Sequence, residues 1–432
     1  VKQIAIIADD LTGASDTGVQ FTQKGLETLV IFDAKNFFED AKNVNVVVID
    51  TDSRSLTSSA AYQKIKEVSQ VLKPKGYKLI YKKIDSTLRG NIGAEIDAIM
   101  DVITFDFAAI VPAYPKMGRT TIEGQHFLHG VPIDKTEIAN DPICPVKDSN
   151  IVSLLSSQSK RNIGLVNLQT IRSGIENIKA KVDNLLKKDV QLIVFDSKTS
   201  QDLKIVTEYL SSSNYQILWV GSAGLAESLL DALEFTFNDI SQFKLLSTEN
   251  PVLLVIGSIS KITQQQLSII LKQPNVTSVK LDPLNVLKDE QYNNEISRCL
   301  VEIKLALKKG FDVAFHVNSS PEIVQKTQEI GKLLNIPQNQ ISNRIADALG
   351  IISSQVIKEI PLQGLILTGG DTAKSVCKHL GVRGLKLIKE LEPGVPISQL
   401  IGFGNLLAIT KAGAFGTERT LINAVHFLKG DR

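Results

Sequence analysis

The feature that most constrains this fold is an apolar run that stops abruptly in polar residues and then recurs along the chain. Ile4-Ala5-Ile6-Ile7-Ala8 leads straight into Asp9-Asp10-Leu11-Thr12-Gly13. A short, unbroken apolar run suits a strand buried on both faces of a parallel sheet. The polar cluster then falls at the strand's carboxyl end, where open α/β sheets place their ligands. Two acids after a strand can also be plain helix N-terminal acids, favoured by the helix dipole. Recurrence of the same construction favours the functional reading.

In order, helical spacing runs from Ala14 to Lys24 and stops at Gly25, and Thr28–Phe32 reads as a strand. Val44–Ile49 ends in Asp50-Thr51-Asp52-Ser53-Arg54, and Thr57 or Ser58 then caps a helix reaching Leu72. Tyr77–Tyr81 ends in Lys82-Lys83-Ile84-Asp85-Ser86-Thr87-Leu88-Arg89-Gly90-Asn91, before a helix over Ile92–Val102. Phe107–Val111, Ile163–Leu168, Leu192–Phe195 and Ile217–Val220 read as further strands. Lys116–Asn150, punctuated by glycines and by Asp141-Pro142, reads as a long connection, a lid or wall of a site. After an irregular boundary at Asp231–Asn250, strands are expected at Val252–Ile256, Val279–Leu281, Val313–Val317, Leu365–Leu367 and Leu406–Ile409. Helices are expected there at Thr263–Leu271, Glu290–Lys308, Glu322–Leu334 and Gln338–Ile357.

Strands alternating with helices predict an α/β architecture. A chain of 432 residues exceeds what one core usually supports. The expectation is two domains, 1–232 and 251–432, each a largely parallel sheet flanked by helices. A net charge of +2 over this length leaves no nucleic-acid footprint. No apolar run approaches the roughly 20 residues of a membrane span. Cys144, Cys299 and Cys377 show no metal or redox spacing, which fits a reducing compartment and predicts a cytoplasmic protein.

If the first three polar strand ends lie side by side, they bring Arg54, Lys82, Lys83 and Arg89 together with Asp9, Asp10, Thr12, Asp85 and Ser86. Cations for a carboxylate and acids or hydroxyls for hydroxyl groups suit a small polyhydroxylated acid. The bland alternative is a set of surface ion pairs, each contributing at most about 1 kcal/mol. In the second half the strand ends are rich in glycine and small hydroxyls: Gly257-Ser258, Thr368-Gly369-Gly370-Asp371-Thr372-Ala373 and Thr410-Lys411-Ala412-Gly413-Ala414-Phe415-Gly416. Glycine lets a backbone approach phosphate closely, and a helix N-terminus offers free N–H donors. Lys411 can add a charge. No P-loop occurs, and Gly402-Phe403-Gly404 lacks the third glycine of a dinucleotide fingerprint, which disfavours a dehydrogenase. His126 and His129 could share a helix face, but a structural or substrate-facing role is favoured over a metal site, and no metal ligands are assigned.

Taken together, Ala8-Asp9-Asp10-Leu11-Thr12-Gly13-Ala14, Lys83-Ile84-Asp85-Ser86-Thr87-Leu88-Arg89-Gly90-Asn91 and Thr368-Gly369-Gly370-Asp371-Thr372-Ala373 resemble the four-carbon acid sugar kinases. Val111-Pro112-Ala113, Gly118-Arg119-Thr120, Gly257-Ser258 and the segment ending in Phe415-Gly416 extend the resemblance over nearly the whole chain. It implies an N-terminal sugar-acid domain, a C-terminal nucleotide domain, an active site in the cleft between them, and transfer of phosphate from ATP with Mg²⁺ to the 4-hydroxyl of a tetronate or 3-oxo-tetronate. Carried over by motif, the substrate region is Asp9, Asp10, Arg54, Lys82, Lys83, Asp85, Ser86 and Arg89. The ATP region is Ser258, Gly369 through Thr372, and Gly413. Asp10 is the first choice for the base and Asp85 the second. Ala414 departs from a glycine common in relatives, which matters if that position needs positive φ or close phosphate approach. A non-catalytic sugar-acid or nucleotide sensor on the same scaffold is the alternative. A homo-oligomer is compatible with either.

Overall fold

The strands of the first half are built from the apolar runs, and every residue of Ile4–Ala8 (β1), Thr28–Ile31 (β2), Val46–Asp50 (β3), Leu79–Lys83 (β4) and Phe107–Val111 (β5) is buried. The computed structural model describes residues 4–35, 43–141, 143–233, 248–404 and 406–430. It divides into two compact units, Val1–Ile240 and Ser241–Arg432. Most of the expected boundary stretch, and Pro142, lie outside the described residues.

In the first unit, Arg119–Ile122 (β6), Gln125–Leu128 (β7) and Val131–Pro132 (β8) form a small antiparallel sheet. Ile163–Val166 (β9), Leu192–Phe195 (β10) and Ile217–Gly221 (β11) complete the main one, which runs parallel in the order β2-β3-β1-β4-β11-β5-β10-β9. The Lys116–Asn150 connection is therefore more ordered than its sequence suggests. Its strands are too short to show a clear period. His126 stands on β7 and His129 follows it, so the two share no helix face.

The helix Leu11–Gln23 begins earlier than Ala14, because the Asp10 carboxylate caps it by accepting from the Gly13 N–H at 2.9 Å. That cap is the bland role considered for the acid pair, and Asp10 fills it while also lying among the site's charged groups. Lys82 and Lys83 continue β4 rather than following it.

In the second unit, Val252–Ile256 (β12), Val276–Leu281 (β13), Asp312–Val317 (β14) and Gly364–Thr368 (β15) join Gly384–Glu392 (β16), Val395–Ile401 (β17) and Leu407–Lys411 (β18). Their order is β13-β14-β12-β15-β18-β17-β16, parallel from β13 to β18 and antiparallel beyond. The β16–β17 hairpin is absent from the sequence reading. Register shifts between Leu387 and Lys389 and between Glu390 and Glu392 break its alternation of apolar and charged residues. Pro393-Gly394, with Gly394 at φ 76°, was the turn signal available. Among the described residues no helix is long and apolar enough to cross a membrane.

Candidate active site

The first unit's polar strand ends do converge, because β3, β1 and β4 are neighbours, with Ala8 in register with both Asp50 and Lys83. Asp9, the turn through Arg54 and the loop through Arg89 thus leave the sheet side by side. Arg54 grips both adjacent acids: Nε and Nη2 donate to Asp9 at 2.8 and 3.0 Å, and Nη1 and Nη2 to Asp10 at 2.9 and 2.6 Å. Nearly all its donors are taken by these carboxylates. Burial alone would push the Asp9 carboxyl up, but Arg54, Lys82 and Lys83 hold it below its ordinary range.

Asp85 is buried and accepts from Thr87 Oγ1 and from Arg89 Nε at 2.7 Å. Burial opposes its ionisation, yet Arg89 and Arg54 hold it well below the usual carboxylate range. Arg89 also reaches Asp141 at 3.1 Å, an acid outside the expected set that fixes the start of the following turn through Ile143 and Cys144. Lys82 turns away from this mouth. Its Nζ lies 2.6 Å from Glu95 Oε2 with both side chains buried, and Glu95 also accepts from Ser53 Oγ. Lys83 Nζ donates to the Ile84 carbonyl at 2.9 Å beside the first turn of the helix that Asp10 caps. A methyl on Gly13 would sit 2.7 Å from Asp10 Oδ1 and 2.9 Å from Lys83 Nζ, so this close approach requires glycine. Thr12 and Ser86 are half-buried, and the Ser86 carbonyl accepts from His126 Nε2 at 2.8 Å. A polar cavity of about 350 Å³ opens beside Arg54, Gly90, Asn91, Cys144 and Lys147.

In the second unit β12, β15 and β18 are neighbours, with Thr368 in register with both Ile256 and Lys411. Gly257-Ser258, Gly369-Gly370 and Lys411 through Gly413 therefore meet. A methyl on Gly413 would fall 2.2 Å from Ser258 Oγ. Gly369 has φ 95° and directly precedes the helix Gly370–Leu380, whose first N–H groups are unpaired within it by geometry. Lys411 Nζ donates to Thr263 Oγ1 at 3.2 Å, and burial pushes its ammonium down to about 8.

A cavity of about 290 Å³ extends from this glycine floor, lined by Ser258, Gly369, Gly370, Asp371 and Thr372 on one side and by Val324, Ile341, Ile345 and Leu349 on the other. The apolar wall comes from the helices Pro321–Leu333 and Gln338–Glu359. Sequence reading missed it because such positions look like ordinary core. Gly402-Phe403-Gly404 does follow a strand, β17, but leads into β18 rather than a helix, so it makes no dinucleotide turn.

Residues 4–229 match a family profile described as a sugar-binding N-terminal domain, and residues 253–421 one described as a nucleotide-binding C-terminal domain. The chain is 31% identical to a D-threonate kinase of Salmonella typhimurium, over 99% of this chain and 98% of that protein. It belongs to the four-carbon acid sugar kinase family. Other members of the family are a D-erythronate kinase of Heliobacterium modesticaldum, 29% identical over 99% and 97% of the two chains, and a 3-oxo-tetronate kinase of Methylobacterium radiotolerans, 26% identical over 96% of each. A crystal structure of a Haemophilus influenzae protein shares the fold at a TM-score of 0.74, with 25% identity over 97% of this chain and 98% of that one.

Proposed function

We propose that this kinase-family chain transfers the γ-phosphoryl group of ATP to the 4-hydroxyl of a four-carbon sugar acid, a tetronate or 3-oxo-tetronate. One observation carries the reading: a single chain pairs an acid–arginine cluster at the strand ends of one unit with a glycine-floored, apolar-walled cavity at the strand ends of the other. Residues 1–232 would bind the sugar acid and residues 251–432 the nucleotide. Asp9, Thr12, Arg54, Lys83, Ser86 and Arg89 surround the acid, with Lys82 acting beneath them through Glu95. Ser258, Gly369, Gly370, Asp371, Thr372, Lys411 and Gly413 hold the phosphates, and the wall of Val324, Ile341, Ile345 and Leu349 takes the base.

Asp10 fits the general base better than Asp85. Arg89 and Thr87 occupy Asp85 and its pKa is held low, which makes it a weak acceptor. The Asp10 side chain is 24% exposed, and among the described residues Oδ2 accepts only from Arg54, leaving a lone pair for the substrate hydroxyl. Arg54 and the Gly13 N–H fix its orientation, so proton removal needs no reorganisation. Lys411 would neutralise phosphate charge as the transition state forms. Asp371, an exposed carboxylate at the glycine turn, fits an oxygen ligand for Mg²⁺ carried by ATP. Bound there, Mg²⁺ supplies neutralisation of the β- and γ-phosphate oxygens. Free thiols at Cys144, Cys299 and Cys377 suit a reducing, cytoplasmic setting.

ADP release should appear with at least one member of a panel of tetronates and 3-oxo-tetronates. ATP binding without turnover on any of them would favour a sensor and reject the kinase reading.

A further inference from the structure

Among the described residues, most cations grouped at the first unit's strand ends are held by carboxylates, while Lys83 Nζ donates to the Ile84 carbonyl. Arg54 is bound to Asp9 and Asp10, Lys82 to Glu95, and Arg89 to Asp85 and Asp141. A guanidinium saturated by two carboxylates has little left for a third. Arg119 differs. Its Nη1 donates to the Met117 carbonyl, but its Nε is buried without a hydrogen-bond partner, and among the described residues no carboxylate pairs with it. Leaving a buried charged donor unmatched is costly unless a ligand completes it.

The backbone holds this arginine firmly. Tyr114 and Arg119 exchange N–H···O bonds of 2.8 and 3.1 Å across a tight turn. The turn closes at Gly118, where φ is 73° and a methyl would lie 2.2 Å from His129 Nδ1. On β6, Arg119 and Thr121 share a face, because alternate residues of a strand point the same way. Thr121 Oγ1 meets His126 Nδ1 at 3.0 Å, and His126 Nε2 donates to the Ser86 carbonyl. That face is therefore fastened to the loop carrying Asp85 and Arg89. Burial pushes the His126 ring down to about 4, so it stays neutral with its proton on Nε2 and its acceptor toward Thr121. Arg119 interacts electrostatically with Asp85, Arg89 and His126, and its burial is incompletely offset.

We infer that Arg119, rather than Arg54, receives the carboxylate of the sugar acid, through the guanidinium edge whose Nε has no hydrogen-bond partner among the described residues. A planar edge with two parallel donors matches a carboxylate, whereas a sugar hydroxyl uses only one. The inference rests on the proposed sugar-acid substrate and names the group that recognises its charge.

The test compares wild type with Arg119→Gln and Arg119→Lys, using calorimetry for tetronate binding and steady-state kinetics on a tetronate and on its uncharged tetronamide. Arg119→Gln should weaken tetronate binding by about 10–100-fold. Its kcat/KM on the tetronamide, which keeps one carbonyl acceptor but no charge, should fall at least about fivefold less, and its KM for ATP should stay within about twofold. Arg119→Lys should recover part of the tetronate affinity but not all of it, since lysine keeps the charge and loses the fork. Equal losses on tetronate and tetronamide overturn the inference and make Arg119 a scaffold residue. A loss confined to kcat, with tetronate binding unchanged, also overturns it. Wild type that binds no tetronate rejects the proposed function and this inference together. Wild type that binds it as tightly as Arg119→Gln rejects this inference alone. If Arg119→Gln does not fold, the ratio of tetronate to tetronamide kcat/KM in Arg119→Lys decides: it should fall, and an unchanged ratio overturns the inference.

Discussion

At the scale of single residues, the chemistry turns on which charged groups at the strand ends already hold a partner. Asp10→Asn removes the carboxylate oxygen assigned to the substrate hydroxyl, so kcat should fall by about 10²–10⁴-fold while circular dichroism shows that the fold persists. Near-normal turnover would remove Asp10 from the base role. The sequence alone makes Arg54 a carboxylate grip, for which Arg54→Ala raises mainly the substrate KM. In the structure Arg54 binds Asp9 and Asp10, so losing it leaves two neighbouring acids without the guanidinium that bridges them. Breaking a buried pair costs about 3–5 kcal/mol, and the lower end is expected because Asp10 is partly open. Urea unfolding should show that loss together with a lower kcat, whereas a pure KM effect would restore the simpler role. Lys411 sets the expected pH dependence of nucleotide binding. Below about 8 its ammonium is charged and attracts phosphate, and above that it loses the proton. Nucleotide Kd should therefore be flat toward neutral pH and rise above about 8, by up to roughly tenfold per pH unit. Lys411→Arg should abolish the rise, and a rise that persists in it would assign the titration elsewhere.

Elements show where the sequence was informative. Long apolar runs such as Ile4–Ala8 and Val252–Ile256 announce buried parallel strands, because nothing else in a folded chain accommodates them as well. Glycine-rich strand ends likewise announced the Ser258–Gly369–Gly413 junction. Short or bulged strands, β6 to β8 and β16 to β17, left no period to detect. The apolar wall over the glycine floor was illegible for another reason: Ile341 and Leu349 look the same whether they face a core or a ligand. The structure does narrow the question of Ala414, which is exposed and does not have positive φ. Ala414→Gly should thus change nucleotide affinity by less than about twofold. Gly413→Ala should weaken it severalfold or more by crowding Ser258 Oγ. Equal affinities for the two variants, measured by nucleotide titration, would contradict this picture of the turn.

For the whole molecule, length and the repeated strand–helix alternation made two α/β units legible, and the order of the motifs made the family legible. Side-chain partnership was not. That Lys82 pairs with Glu95, that Arg89 reaches Asp141, and that Arg119 Nε has no partner among the described residues all depend on three-dimensional neighbours that no spacing reveals. Each ligand that binds only the folded chain should raise its stability, by about 2.7 kcal/mol at a hundredfold excess over Kd. Tetronate and ATP should each raise Tm separately, and a tetronate that never does so is not the substrate.

The most direct test of the phosphoryl-transfer claim is proton-coupled phosphorus NMR of the product formed from ATP and a turned-over tetronate. Transfer to the terminal 4-hydroxyl gives a phosphomonoester signal split into a triplet by the two C4 protons. A doublet, from a secondary hydroxyl, or an uncoupled acyl phosphate would contradict it.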